Sequence, residues 1–228
     1  MHVLLVDDDD DVQAILGRYL TQDGHDVLAA RTAHAALAAV AAGGIDVAVL
    51  DLTLPDLDGF EVLRRVRSGH QAGLPILVLS ARGEEADRLL GLGLGADDYV
   101  VKPFSAREIC LRVGRLGLRR SPEVPDPDRD GDVLQWGRIA LRPAEHRVFL
   151  GDDEVALTPR EFDLLQIFLR QPRHVLSRAA LIGALWPEGY VSDHVVDVHL
   201  GSLRRKLGGH LAVENVRGVG YRLGEPKA

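Results

Sequence analysis

The chain has 228 residues, of which 46% are hydrophobic and 27% charged, with a formal net charge of −7 and one cysteine, Cys110. This is typical of a water-soluble protein with one large or two ordinary domains, and a single cysteine excludes an internal disulfide. No apolar run reaches the roughly 18 residues of a membrane span, and the N-terminus lacks the pattern of a signal peptide, so we expect a cytoplasmic protein without membrane contact.

Residues 1–120 alternate short apolar runs with segments of helical period. The runs are HVLLV (2–6), HDVLAA (25–30), IDVAVL (45–50), PILVLS (75–80) and DDYVV (97–101). Five such units predict a parallel sheet covered by helices on both faces. One helix is predicted between Arg82 and Leu94. It contains Gly91 and Gly93, each costing up to about 1 kcal/mol relative to alanine, and a weakly held helix suits a switching surface.

Polar residues stand at the carboxyl ends of four predicted strands. Asp7 and Asp8 follow the first strand, Asp51 follows the third, Ser80 ends the fourth and Lys102 follows the fifth. Sites in open parallel sheets lie beyond these ends, so we expect the five side chains to converge. Clustered carboxylates ionise poorly unless a cation joins them, and Mg²⁺ prefers oxygen ligands of this kind. The sequence therefore predicts a magnesium site.

Each residue also has an ordinary structural interpretation. Aspartates at strand ends are often helix caps, Lys102 could be a solvated lysine, and Ser80 could be a turn residue. These interpretations leave the common location at strand ends unexplained. The remaining Asp9–Asp11 are predicted to begin the first helix, where the helix dipole favours negative charge.

Residues 121–132, SPEVPDPDRDGD, are rich in proline and acid and have almost nothing to bury. They predict an exposed linker between two domains. A long loop within one domain is the alternative, but structureless loops of this length are uncommon. The part after the linker is the only one in which basic residues outnumber acidic ones.

The last part of the chain begins with short strand-like runs that predict a small antiparallel sheet. Thr158, Pro159 and Glu161 then mark a helix start, with a cap, a proline at the first position and a capping acid. A second helix is predicted to begin near Ser177, and a third to span residues 192–207.

The third helix has an apolar stripe, which leaves its opposite face available to a groove. The stripe consists of Val196, Leu200, Leu203 and Leu207. The following LAVENVRGVGYRL predicts a hairpin that turns at residues 218–220. Residues 197–222 have the densest excess of positive charge in the chain, which is typical of DNA contact.

In order and spacing, these motifs resemble the OmpR/PhoB-type response regulators of two-component systems. The matching stretches are LLVDDD (4–9), VLDLTLPDLDGFEVLRRVR (49–67), LPILVLSARGEEADRLLGLGLGADDYVVKPFSAREI (74–109), LTPREFDLL (157–165), VVDVHLGSLRRKL (195–207) and VRGVGYRL (216–223). The resemblance implies a flavodoxin-like receiver domain over residues 1–120. It implies a smaller α+β winged helix-turn-helix domain over residues 133–226.

The resemblance also implies roles for the residues at the strand ends. Asp51 would accept a phosphoryl group from the phosphohistidine of a sensor kinase. Asp8, Asp51 and the main-chain carbonyl of Thr53 would hold Mg²⁺, with Asp7 acting mostly through water. Lys102 would pair with the phosphoryl oxygens.

By the same resemblance, Ser80 would donate its hydroxyl to the phosphoryl group and Tyr99 would turn inward in response. The alternative for Tyr99 is a half-buried strand tyrosine. Phosphorylated receiver domains would dimerise through a face with the charged residues Arg88, Asp97, Asp98, Glu108, Arg112 and Arg119. The alternative is a solvated charged surface, because surface ion pairs contribute little.

The resemblance places DNA contacts on the third helix and the hairpin, or wing. The candidates are His194, His199, Ser202, Arg204, Arg205, Arg217 and Tyr221. Where several relatives have two arginines, this chain has Gly201 and Ser202. Fewer basic contacts predict a shallower salt dependence of DNA affinity and a stronger reliance on dimerisation.

Together these features favour a phosphorylation-controlled transcriptional regulator rather than a turnover enzyme. Its expected partners are a histidine kinase, promoter DNA with tandem half-sites and a second copy of the chain; RNA polymerase is a further candidate. DNA binding without a phosphate switch is one alternative. Another is a Mg²⁺-dependent aspartyl-phosphate hydrolase, because Asp8, Asp10 and Val12 fit the DxDx(T/V) signature of haloacid dehalogenase-type phosphatases. That alternative leaves Asp51, the linker and the basic tail without a role.

Overall fold

The computed structural model describes residues 1–81, 84–118, 133–187 and 194–226. The chain divides into two compact units, Met1–Ser121 and Pro122–Ala228. The predicted linker over residues 121–132 lies outside the described residues. Within the described part of the chain, none of the helices combines the length and the apolar character needed to cross a membrane.

The first unit is built on a five-stranded parallel sheet with the strand order β2-β1-β3-β4-β5. Its strands are β1 (His2–Val6), β2 (Asp26–Ala30), β3 (Val47–Asp51), β4 (Ile76–Ser80) and β5 (Asp98–Val101). The helices that follow them in turn are α1 (Asp10–Gln22), α2 (Ala33–Ala42), α3 (Gly59–Ser68), α4 (Glu85–Gly93) and α5 (Ala106–Leu118). Every residue of β3 and β4 is buried, which is why these strands are continuous apolar runs. The strand order is flavodoxin-like, and the predicted fold class is confirmed.

Local sequence signals fix the start of α1. The carboxylate of Asp9 accepts hydrogen bonds from the main-chain N–H groups of Asp11 and Val12, and Asp10 and Asp11 occupy the first turn. By contrast, α4 begins at Glu85, later than predicted, and its N-cap residue Glu84 makes no side-chain cap. Arg82 lies outside the described residues.

A buried ion pair joins α3 to the start of β5. Nη2 of Arg67 lies 2.9 Å from Oδ2 of Asp97, and the side chains are 7% and 0% exposed. Other N–H groups of Arg67 donate to the carbonyl oxygens of Gly95, Ala72 and Leu74, while the main-chain N–H of Ile76 donates to Asp97. The carboxylate of Asp97 is therefore enclosed within the unit, and its part in dimerisation stays a prediction.

The second unit begins with a four-stranded antiparallel sheet of β6 (Leu134–Trp136), β7 (Ile139–Arg142), β8 (Arg147–Leu150) and β9 (Asp153–Glu154). Three helices follow, α6 (Pro159–Arg170), α7 (Arg178–Leu185) and α8 (Val195–Lys206), and then the hairpin of β10 (Val213–Val216) and β11 (Gly220–Leu223). The predicted order of sheet, helices and hairpin is confirmed. The predicted start of the third helix near Ser192 lies outside the described residues.

Two sequence signals of this unit have direct structural counterparts. Thr158 and Glu161 form a capping box at the start of α6, with Pro159 in the first turn. The apolar stripe of α8 is completely buried, and α8 packs against α6. On the other side of α8, Gly201, Arg204 and Arg205 are exposed.

We expect Arg67→Ala to lower the free energy of unfolding by about 3–5 kcal/mol, because it removes a buried cation from the buried Asp97 carboxylate. Arg64→Ala is the matched control on the same helix, since Arg64 is 62% exposed and pairs with Glu61 at the surface. Urea unfolding followed by circular dichroism should show a large loss for the first variant and almost none for the second. Equal losses would contradict a special role for the buried pair.

Candidate functional site

Four strands of the first unit end at one edge of the sheet and bring polar residues together there. Asp51 and Ser80 are the last residues of β3 and β4, while Asp7 and Lys102 come directly after β1 and β5. The strand register keeps these ends level, because Asp51 lies beside Leu79 and Ser80 lies beside Val101 in the sheet. The polar side chains thus arise from four strands but share one location.

Three carboxylates form a cluster at this edge. Oxygens from Asp7, Asp8 and Asp51 lie within 4.8 Å of one another, with Asp7 and Asp51 buried and Asp8 exposed. All the donors are oxygens, which is the ligand set that Mg²⁺ prefers. The residues therefore fit a hard divalent cation.

Lys102 bridges the two buried carboxylates. Its Nζ lies 2.9 Å from Oδ2 of Asp7 and 2.8 Å from Oδ2 of Asp51. The main-chain N–H of Asp9 donates to the other oxygen of Asp7, at 3.0 Å, and that of Thr53 donates to the other oxygen of Asp51, at 3.1 Å. Each buried carboxylate thus has one main-chain donor and a share of one ammonium group.

These contacts act differently on the pKa values of Asp7 and Lys102. Burial raises the pKa of Asp7, and the nearby charge of Asp51 adds to the increase, while bonds from Lys102 and the Asp9 N–H only partly oppose it. Burial acts to lower the pKa of Lys102, but its bonds to Asp51 and Asp7 outweigh that effect and raise it. Lys102 is therefore firmly charged, whereas the ionised form of Asp7 is disfavoured.

Sequence reasoning missed Gln13, which supports the site from α1. Its Nε2 lies 3.1 Å from the carbonyl oxygen of Leu5 and 3.0 Å from those of Asp7 and Ala30. This amide holds the ends of β1 and β2 in place beside the acidic cluster. The sequence feature that could have indicated this role is a polar residue, Gln13, close to the buried Leu16 on a helix that packs on the sheet.

Asp56 was also missed, and it anchors the loop that follows Asp51. Its carboxylate accepts from the main-chain N–H groups of Ala33 and His34 at 2.8 and 3.0 Å and lies 2.5 Å from Nδ1 of His34. Burial acts to raise the pKa of Asp56, but the bonds from His34 and Ala33 outweigh it and lower the pKa. The carboxylate thus ties this loop to the start of α2.

Ser80 and Tyr99 lie on the same face of the sheet. Ser80 is beside Val101, and Tyr99 precedes Val101 by two residues on β5. Ser80 is fully buried and Tyr99 is 6% exposed. A Cβ atom at Gly91 would lie 3.0 Å from two ring carbons of Tyr99, so this glycine lets the ring pack against the backbone of α4. The switch roles of Ser80 and Tyr99 stay predictions.

Most of the predicted dimerisation residues that the structure describes are bonded within the chain. Nη1 of Arg112 lies 2.6 Å from Oδ2 of Asp98, and its Nη2 lies 2.7 Å from Oε1 of Glu108. Arg88 is half-buried on α4, and Arg119 lies outside the described residues. A dimer formed through this face would have to share or replace the bonds of Arg112.

The second unit presents part of the predicted DNA-contacting set. Exposed members are His194, Arg204, Arg205 and Arg217, while Ser202 is half-buried. Nη2 of Arg204 also donates to the carbonyl oxygen of Val213 at 2.6 Å, which links α8 to the wing.

Two of the predicted DNA-contacting side chains are buried in this structure, and their contact with DNA stays a prediction. His199 is 2% exposed and packs against Trp186 with ring centroids 5.3 Å apart. Tyr221 is 1% exposed, and its hydroxyl donates to the carboxylate of Asp197 on α8. Burial, together with the bond to Asp197, raises the pKa of Tyr221 to about 12. Both side chains hold the unit together rather than extend from its surface.

Comparisons with known proteins agree with this geometry. The family model described as response regulator receiver domain matches residues 3–114, and the model described as transcriptional regulatory protein, C terminal, matches residues 152–223. The transcriptional regulatory protein TcrA of Mycobacterium tuberculosis is 40% identical over 98% of this chain and 87% of its own. The alkaline phosphatase synthesis transcriptional regulatory protein PhoP of Bacillus subtilis is 37% identical over 99% of this chain and 97% of its own.

Solved structures give the same result for the fold. A mutant of RitR superposes with a TM-score of 0.77 at 23% identity, covering 98% of this chain and 99% of that one. The receiver domain of the Francisella response regulator 1452 has a TM-score of 0.51 at 32% identity, covering 53% of this chain and 98% of that one. Both the complete two-unit chain and the first unit alone thus have structural counterparts.

We expect Asp7→Asn to stabilise the metal-free protein at neutral pH. The folded-state pKa of Asp7 is raised above its ordinary value of 3.8, so the stability associated with the neutral carboxyl is present below pH 3.8 and lost as the pH rises through the raised pKa. Asp9→Asn is the control, because asparagine caps a helix as well as aspartate does. Urea midpoints measured with a chelator present should rise for Asp7→Asn only, and a lower midpoint would contradict this account.

Proposed function

Because the chain belongs to the OmpR/PhoB-type response regulators, in which a receiver domain precedes a DNA-binding domain, we propose that phosphorylation of Asp51 controls its binding to promoter DNA. The observation that carries this proposal is the convergence of Asp7, Asp8, Asp51 and Lys102 at one edge of the sheet. The phosphodonor is the phosphohistidine of a sensor kinase. The protein acts as a regulator, and its chemistry is limited to its own phosphorylation and slow dephosphorylation.

In the transfer step, a carboxylate oxygen of Asp51 attacks phosphorus. A phosphorus–oxygen bond forms, the phosphorus–nitrogen bond of the phosphohistidine breaks, and its electron pair returns to the imidazole. Lys102 already lies 2.8 Å from Asp51 and supplies a fixed positive charge for the incoming phosphoryl oxygens. Ser80, at the end of the neighbouring strand, donates its hydroxyl to the same group. Catalysis of this kind consists of positioning and charge neutralisation.

Asp8 and Asp51 would hold Mg²⁺ directly, with the carbonyl of Thr53 as a third ligand and Asp7 acting through water. When bound, the ion neutralises negative charge on the phosphoryl oxygens. The all-oxygen donor set supports this choice. Burial, with the charge of Asp51 nearby, raises the pKa of Asp7, so a bound cation would favour its ionised form.

Phosphorylation would favour a dimer of receiver domains, which places two α8 helices on tandem half-sites at high effective concentration. The residues predicted for this face are Arg88, Asp97, Asp98, Glu108, Arg112 and Arg119. Of the residues predicted for DNA contact, His194, Arg204, Arg205 and Arg217 are exposed and are the first candidates. RNA polymerase remains a candidate partner, and a cytoplasmic location remains an expectation.

The hydrolase alternative has little support. Asp10, which would have to assist Asp8 in that chemistry, lies in the first turn of α1, is 70% exposed and forms an ion pair with Arg31. The family models describe a receiver and a transcriptional regulatory domain. Neither observation gives Asp8 the role of nucleophile.

We expect a small-molecule phosphodonor with Mg²⁺ to add one phosphoryl group to the wild-type chain and none to Asp51→Asn. Asp26→Asn is the matched control, because Asp26 is 81% exposed and far along the sequence from the cluster. Intact mass spectrometry detects the added group, and light scattering and DNA binding measured on the same samples detect dimerisation and its effect.

Two outcomes would contradict the proposal in different ways. Phosphorylation that persists in Asp51→Asn would place the acceptor elsewhere. Wild-type DNA binding that is unchanged by phosphorylation would favour a DNA-binding protein without a phosphate switch.

We expect Gly201→Arg to steepen the salt dependence of DNA affinity by about 0.9 in the log–log slope, the effect of one added phosphate contact. Gly201 is exposed, and a Cβ atom there would meet nothing within 4 Å. Gly201→Ala is the control, because it strengthens the helix without adding charge. Fluorescence anisotropy across a salt series should separate the two variants, and identical slopes would argue against placing this face of α8 on DNA.

A further inference from the structure

A buried carboxylate joins the start of α6 to α8. The side chain of Glu161 is 3% exposed, and its Oε2 lies 2.7 Å from Nζ of Lys206. The same oxygen accepts from the main-chain N–H of Thr158 at 2.8 Å. One side chain therefore completes the capping box of α6 and pairs with Lys206 of α8.

The electrostatics of this contact are favourable. Burial acts to raise the pKa of Glu161, but Lys206, Ser202 and the Thr158 N–H outweigh it and lower the pKa. Glu161 is therefore ionised at neutral pH. The charge of Lys206, on a helix that would face DNA, is directed into the unit.

Helical spacing separates the inward residues of α8 from the outward ones. Ser202 and Lys206 are four residues apart and share a half-buried face, whereas Gly201 and Arg205 are four apart and share an exposed face. The two positions at which this chain departs from arginine are thus not equivalent. Gly201 is exposed, while Ser202 is half-buried and its hydroxyl accepts from Nη2 of Arg205 at 3.3 Å.

We propose that Glu161 is a positioning residue for DNA recognition, which acts through Lys206 to fix the rotation of α8 about its own axis. In this arrangement Arg204 and Arg205 face the groove, and Lys206 does not contact DNA. The inference rests on the proposed function, in which α8 lies against DNA.

Glu161→Gln gives a test that depends on the sign of its effect. Glutamine keeps the acceptor of the capping box but removes the negative charge. If Glu161 influenced DNA only through its charge, the variant would bind DNA more tightly. Loss of positioning instead weakens binding by roughly tenfold, the scale of coupling between residues in one network. The measurement uses the full chain and a duplex selected by that chain from a random-sequence pool, with circular dichroism to confirm the fold.

Lys206→Met and Arg205→Met form a matched pair of neighbouring cations. A lysine that contacts phosphate lowers the salt slope by about 1 when it is removed, and we expect this only for Arg205→Met. Lys206→Met should weaken binding at every salt concentration with an unchanged slope. Since it also leaves Glu161 buried without its cation, the double variant Glu161→Gln/Lys206→Met is included and should bind no more weakly than either single variant.

Three results would overturn the inference. Tighter DNA binding by Glu161→Gln would show that Glu161 influences DNA binding only through its charge. If Lys206→Met and Arg205→Met lowered the salt slope of DNA affinity equally, Lys206 would be a phosphate contact. If both Glu161→Gln and Lys206→Met bound DNA with wild-type affinity, the pair would have a purely structural role. If Arg205→Met also left both slope and affinity unchanged, α8 itself would not lie on DNA, and the proposed function would fail together with the inference.

Discussion

The chemistry of the first unit depends on two buried carboxylates that share one lysine. A parallel sheet with level strand ends places Asp7 and Asp51 close together, whether or not their charges favour it. Lys102 and two main-chain N–H groups compensate part of this negative charge and leave the rest uncompensated. The site therefore has negative charge that a cation would neutralise. A phosphoryl group that arrives with its counterion would replace the present charge contacts with new ones.

The surroundings of this cluster offer a physical route for the signal. Ser80 is fully buried beside it, and the ring of Tyr99 lies on the same face, packed against α4 where Gly91 has no side chain. Movement of the Ser80 hydroxyl toward a phosphoryl group would change the space available to that ring. Because α4 contains two glycines and lacks a side-chain N-cap, its helical conformation is weakly held.

The strands, their order and the polar residues at their ends could be predicted from sequence, because burial on both faces leaves continuous apolar runs such as residues 76–80. The burial of several polar side chains could not be predicted, because their partners are distant in sequence. Asp97 is paired with Arg67, and Tyr221 is bonded to Asp197. A charged or aromatic residue near a helix or wing looks exposed until its partner is known. Gln13 escaped prediction for the same reason, since its three carbonyl partners lie on two other strands and the loop after β1.

The two units each contain a buried carboxylate bonded to a lysine, and the difference between these pairs separates a reactive site from a structural one. Asp7 shares Lys102 with a second carboxylate, and its pKa is raised. The pKa of Glu161 is lowered by Lys206, Ser202 and a main-chain N–H, which together outweigh its burial. Among the described residues, no second carboxylate pairs with Lys206. Balanced charge makes the Glu161 contact a stable joint that holds α8 in one orientation. Unbalanced charge at the Asp7 cluster costs stability, which is typical of a functional site.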